Sequence, residues 1–173
     1  MMKIFGCHIL FLLFIVSCSA PKQQGLVYVN DCESIKGWQD IQLTRWPVHS
    51  GWLSNKLDSI HLYGIQFRLA FKDISPKRLQ KVKISLWVYF TEKSKSTLVI
   101  EIKDKYGLGL SWFGTKMEDQ VKEIGKWQKI TAEMPLQNPA LNKPDNFITI
   151  YPWDNGKKDV YVDDLIIEFI PQR

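Results

Sequence analysis

Trp87 and Tyr89 stand two residues apart, as do Tyr151 and Trp153. In an extended chain, residues two apart share a face, so each pair points one way and the aliphatic residues between them point the other. Arg68 lies between Phe67 and Leu69, with Gln66 on its own face, and Glu101 lies between Ile100 and Ile102. If these strands form one sheet, its outer surface combines Trp87, Tyr89, Tyr151 and Trp153 with Arg68 and Glu101. Aromatic faces stack on the apolar sides of sugar rings, and a few charged or amide groups take the hydroxyls, the usual make-up of a small-molecule site. The same aromatic residues also favour strands and bury large areas, so a second core layer explains them equally well.

Other chemistry is hard to find. The chain has no His-Glu-x-x-His, no Gly-x-Ser-x-Gly and no Cys/His ligand cluster. Apart from His8 in the N-terminal apolar run, the histidines are His49 and His61, and lone histidines are usually structural or surface residues. The expectation is a protein that binds and does not catalyse. The formal charge of +5 is spread along the chain without a dense Lys/Arg cluster, so nucleic acid is not an expected partner.

The elements that must position these residues are strands. Period-two alternation runs through Leu26–Asn30, Trp38–Leu43, Ile65–Phe71, Lys83–Phe90, Thr97–Lys103, Leu108–Phe113, Trp127–Met134, Asn146–Trp153 and Val160–Phe169. Turn-forming residues separate them, as at Lys105-Tyr106-Gly107 and Asp154-Asn155-Gly156. Thr115–Ile124 reads either as a helix or as a long charged loop. About nine short strands at regular spacing predict an all-β chain folded as a β-sandwich.

The N-terminus is set apart from this pattern. Lys3 precedes an apolar run of thirteen residues, Ile4 to Val16, too short to span a bilayer, for which roughly 20 are needed, but suited to a secretory signal. Ile15-Val16-Ser17-Cys18 resembles a bacterial lipobox, which implies a signal peptide over 1–17, acylation of Cys18 and a membrane anchor. Cleavage after Ala20 to release a soluble protein is the alternative. Residues 18–25 form a tether and 26–173 one domain. Ser19 is not the aspartate that holds resembling lipoproteins at the inner membrane, which points to the outer membrane, with the side it faces open. Cys7 leaves with the signal, so Cys32 has no internal disulfide partner.

Several motifs then fall into a familiar order: Leu26-Val27-Tyr28-Val29-Asn30-Asp31-Cys32-Glu33 with Gly37-Trp38, His49-Ser50-Gly51, Val82–Tyr89, Gly125-Lys126-Trp127, and Val160-Tyr161-Val162-Asp163-Asp164-Leu165. Together they resemble the galactose-binding-like jelly roll of many carbohydrate-binding modules and of lipoproteins of Bacteroidetes type. The resemblance implies a monomeric jelly roll that binds a polysaccharide or oligosaccharide. It also implies one structural Ca2+, with Glu33 and Asp163 or Asp164 as ligands, since calcium takes six to eight oxygens with carboxylates among them. Tyr161, Leu165, Ile167 and Phe169 share a face by alternation, which turns Asp163 inward unless a bulge intervenes. Lysines or backbone N–H groups could satisfy these acids instead. An envelope protein that uses the same sandwich to bind another protein is the rival to the sugar reading.

Overall fold

The computed structural model describes residues 26–39 and 41–172. The expected signal peptide 1–17, the lipidation site Cys18 and the tether 18–25 lie outside the described residues. Ten strands and one short helix follow in order: β1 (Leu26–Asn30), β2 (Leu43–Thr44), β3 (Ser54–Leu57), β4 (Phe67–Ala70), α1 (Phe71–Ile74), β5 (Leu79–Phe90), β6 (Ser96–Lys103), β7 (Gly109–Lys116), β8 (Trp127–Pro135), β9 (Phe147–Asp154) and β10 (Val160–Pro171). They make two antiparallel sheets. One has the order β2-β3-β10-β5-β8, with β1 also paired to β10, and the other has the order β4-β9-β6-β7. This is the expected β-sandwich.

Alternation builds the core. Along β5, Val82, Ile84, Leu86, Val88 and Phe90 are buried, while Lys83, Ser85, Trp87 and Tyr89 face out. From the facing sheet, Leu98, Ile100 and Ile102 on β6 and Ile148 and Ile150 on β9 are fully buried and close the same core. Burial of this apolar area, at about 25 cal/mol per Å², is the main force holding the two sheets together.

One expected strand does not form, and two open readings are decided. Trp38–Leu43 is not a strand: Gln39 makes one isolated bridge to Gln66, and pairing resumes only at β2, a two-residue edge piece. Trp38 and Ile41 pack against the core instead of alternating across a sheet. Of Thr115–Ile124, read as helix or long loop, Thr115 and Lys116 end β7 and the rest is the loop of the two readings, turning from the fully buried Met117 to Ile124. β10 carries a bulge between Asp163 and Ile166, with Asp164 at φ 48°. The extra residue reverses the phase of the strand. Val160 and Val162 therefore point inward before it, Leu165, Ile167 and Phe169 after it, and Tyr161 and Asp163 lie on the outer face beside Tyr89 and Trp87.

Candidate functional site

The four-stranded sheet carries the candidate site on its outer face. Register places Arg68, Thr149, Glu101 and Trp112 in one row across β4, β9, β6 and β7. The next row holds Tyr151, Val99 and Gly114, and the one after it Trp153, Thr97 and Lys116. Tyr63, from the loop before β4, bridges to Trp153 and stacks on it with ring centroids 6.5 Å apart and planes 12° from parallel. The same ring meets Tyr151 edge-on at 5.8 Å. Val99 points away from the core yet is fully buried, because the rings of its neighbours spread over the sheet around it.

The ring of Trp112 extends along the strand over Gly114, where an added Cβ would stand 2.5 Å from Trp112 Cη2. Only a residue without a side chain leaves room for this pose. The indole is 56% exposed and Tyr63 50%, so both offer ring area to solvent. Burial pushes the Tyr151 hydroxyl above the usual tyrosine range, with Glu101 and Tyr63 adding to it and the Trp112 indole opposing it. Tyr151 is therefore a neutral hydrogen-bonding group at neutral pH. Glu101 accepts an ion pair from Lys103 at 3.0 Å. Arg68 is exposed, with its guanidinium carbon 5.1 Å from the centroid of the Phe147 ring. Flat aromatic rings flanked by a carboxylate, a guanidinium and a phenol form a stacking surface with hydrogen-bonding groups at its margins.

Trp87 and Tyr89 do not belong to this surface. β5 lies in the six-stranded sheet, so its outward residues face the opposite side of the sandwich from Arg68, Glu101, Tyr151 and Trp153. There the 45–53 loop covers them. The His49 ring stacks on Trp87 at 3.9 Å, and Trp46 meets Tyr89 edge-on at 6.5 Å. Tyr89 also packs against Trp127 and Tyr161. The expected single platform is thus two separate faces, because alternation assigns a face of a strand and says nothing about which sheet the strand joins. Sequence leaves Trp112, like Trp46 and Trp52, as a residue near a loop that could rim a site, and it does not point to Tyr63. The signal available was a tryptophan and a glycine two residues apart on one strand.

The three acids of the expected calcium site are placed close to the 49–53 loop, and that loop supplies donors. Asp163 Oδ2 accepts the backbone N–H groups of His49 and Ser50 at 3.0 and 3.3 Å, and Oδ1 accepts that of Asp164 at 2.8 Å. Asp164 accepts from Ser50 Oγ at 2.7 Å and lies 2.6 Å from His49 Nδ1. Glu33 Oε1 accepts the N–H groups of Trp52 and Leu53 at 2.6 and 2.9 Å, with Gly51 leaving space for it. Lone pairs engaged by N–H donors are not free for a cation. Among the described residues no group of three or more His, Cys, Asp or Glu side chains is arranged to hold a metal. As placed, Asp163 and Asp164 fasten the loop to the bulge of β10, and Glu33 ties it to the turn after β1. Burial pushes the Asp163 carboxyl up while the His49, Ser50 and Asp164 N–H groups pull it down. Nor is the cluster arranged for nucleophilic catalysis, since Ser50 Oγ bonds the carboxylate rather than the imidazole.

Comparison with solved structures places this architecture. The chain superposes on the xylan-binding family 22 domain from Paenibacillus barcinonensis with a TM-score of 0.55 at 14% identity, covering 87% of this chain and 98% of that one. It has the β-sandwich fold of that domain. The C-terminal family 22 carbohydrate-binding module of a Clostridium thermocellum protein gives a TM-score of 0.59 at 17% identity, covering 86% and 96%. The xylan-binding module of family 15 gives 0.51 at 14%, covering 86% and 99%. No protein-family profile matches the sequence, and no curated protein matches it either. At these identities the likeness is one of fold.

Proposed function

We infer that this protein binds a polysaccharide without catalysis, on the outer face of the four-stranded sheet, while lipid on Cys18 holds it to a membrane. The observation that carries the reading is the Trp112 indole, lying over Gly114 and exposed. A ring in that pose offers its π face to the apolar side of a sugar. Tyr63, Tyr151 and Trp153 extend the surface, and Arg68 and Glu101 supply charged partners for hydroxyls. The row from Arg68 to Trp112 crosses three strand spacings, about 14 Å. That suits a short stretch of an extended chain lying across the strands, and an open face admits a polymer from either side. The modules of like fold are described as xylan-binding, which makes xylan the first polysaccharide to try.

Affinity electrophoresis through gels containing xylan and other plant and microbial polysaccharides tests this. The expected result is retardation in at least one gel, abolished in Trp112→Ala and kept in Trp87→Ala. Retardation that survives Trp112→Ala and is lost in Trp87→Ala would move the site to the other sheet. No retardation in any gel, together with a stoichiometric protein partner, would favour the rival reading. The exposure of Trp46 and Trp52, at 71% and 82%, is the observation on that rival's side. Incorporation of labelled fatty acid, lost in Cys18→Ser, tests the anchor separately.

A further inference from the structure

We propose that the end of the sandwich from which the N-terminal segment leaves is a membrane-facing surface that binds anionic phospholipid headgroups. The proposal rests on the acyl anchor at Cys18 for its orientation and is independent of the sugar reading. Leu26 opens β1 in register with Phe169, Val82 and Met134. The chain therefore enters at the end where β5 begins, β8 and β10 finish, and α1 turns. Eight residue steps separate Cys18 from Leu26, a reach of at most about 29 Å. The sandwich extends further than that, since the twelve residues of β5 alone span about 40 Å. An anchored chain thus keeps the entry end within about 29 Å of the lipid, whereas the other end can lie farther off.

The tertiary structure gathers at this end cations that are scattered in sequence. Lys72, Lys77, Arg78 and Lys143 line one cavity of about 340 Å³ whose wall contains no carboxylate. Lys72 pairs with Asp145 at 3.1 Å. Lys77, Arg78 and Lys143 form no ion pair among the described residues. The other acids of this end are Asp73 on α1, Asp104 in the β6–β7 turn, where it accepts the Tyr106 and Leu108 N–H groups, and Glu133 and Glu168 on the outer face of the six-stranded sheet, with Glu133 paired to Lys81 at 2.8 Å. The β6–β7 hairpin reaches the same end, because Lys103 at its base is in register with Phe147, and Phe147 with Ala70 just before α1. Its tip exposes Tyr106 by 83% and Leu108 by 67%, with Lys105 Nζ 5.0 Å from the centroid of the Tyr106 ring. Cations with aromatic and aliphatic side chains beside them suit the headgroup layer, where amphipathic rings settle and each basic residue adds attraction to anionic lipid. The opposite end is basic as well, with Lys93, Lys95 and Lys122 round a cavity that also contains Glu118. Distance from the anchor separates the two ends, and the far one serves as an internal control.

The test is amine-labelling footprinting of the full lipidated protein. It is compared in detergent, in phosphatidylcholine vesicles, and in equimolar phosphatidylcholine/phosphatidylglycerol vesicles. Expected is labelling of Lys77, Lys105 and Lys143 several-fold lower in the phosphatidylglycerol vesicles than in either other condition. High salt should restore it, and Lys93 and Lys95 should stay unchanged. The triple variant Lys77→Glu/Arg78→Glu/Lys143→Glu should remain on both vesicles through its acyl chains and lose the protection of Lys105. Equal labelling in all three conditions overturns the proposal, as does equal protection in both vesicles, which would mean crowding by the tether alone. Protection of Lys93 and Lys95 in place of Lys77 and Lys143 overturns it too. Failure of the anchor shows differently, as loss of the protein from phosphatidylcholine vesicles, and failure of sugar binding shows only in the gels.

Discussion

The indole of Trp112 lies across Gly114, two residues further along the same strand, so closely that a methyl group on Gly114 would stand 2.8 Å from Cζ3 and 2.5 Å from Cη2. Gly114→Ala must therefore lift or rotate the ring. The expected outcome is polysaccharide affinity weakened by about tenfold, ~1.4 kcal/mol. The change in stability should stay near 1 kcal/mol, because Trp112 is half exposed and can move. Affinity electrophoresis and urea denaturation of the same variant check both halves.

Trp87 predicts the reverse pattern. Its ring is covered by His49 at 3.9 Å, so Trp87→Ala removes packing beneath the 45–53 loop and should cost about 2–4 kcal/mol. Retardation by polysaccharide should not change. A stable Trp87→Ala protein that no longer binds would show that the second aromatic face is the site.

Asp163 is buried and takes three backbone N–H groups. Asp163→Asn keeps one acceptor, and in either orientation turns its amide N–H toward a backbone N–H, that of Asp164 or those of His49 and Ser50. The expected loss is about 1–3 kcal/mol, read as a lower urea midpoint with altered tryptophan fluorescence as the loop loosens. Because the acids are engaged by the chain itself, neither added calcium nor EDTA should move Tm. A calcium-dependent rise would restore the metal site.

Asp58 sets an acid limb of the stability curve. Burial alone would raise its pKa, but the N–H groups of His61 and Ile60, and then the His61 ring, hold it down at about 2. A carboxyl whose folded pKa is depressed stabilises above its unfolded pKa, and that stability drains away as pH falls through the folded value. Wild type should therefore lose stability relative to Asp58→Asn between about pH 4 and pH 2, by on the order of 2 kcal/mol. Equal acid limbs in urea titrations of the two proteins would remove this assignment.

Cys32 is 1% exposed, and burial, with Asp163 beside it, pushes its thiol well above the ordinary range. The thiolate is the reactive form. Cys32 should resist thiol reagents at pH 8 in the native protein and react at once in denaturant, as mass spectrometry of the alkylated chain would show.

Much of this was legible in the chain. β1 begins and ends where alternation placed it, and β5, β6, β8, β9 and β10 agree within a few residues. The failures have local causes. Trp38–Leu43 alternates but has no full partner strand, and the β10 bulge at Asp164 inserts one residue that inverts the inferred facing of Tyr161 and Asp163. Hydrogen bonds from the 49–53 loop to Glu33, Asp163 and Asp164 join residues up to 115 positions apart, which no local pattern encodes.

Arg68, Glu101, Tyr151 and Trp153 were assigned to an outer face by alternation alone, and they share one. Trp87 and Tyr89 were assigned outward by the same rule, and they do point outward, but on the other sheet. Period two is a property of a single strand and follows from the pleat, so the sequence by itself determines which residues share a face as long as no bulge breaks the strand. Sheet membership comes from long-range pairing, β5 with β10 and β8, β6 with β9 and β7. That pairing decided that Trp87 lies under His49 while Trp112, which the sequence left undecided, lies open over Gly114.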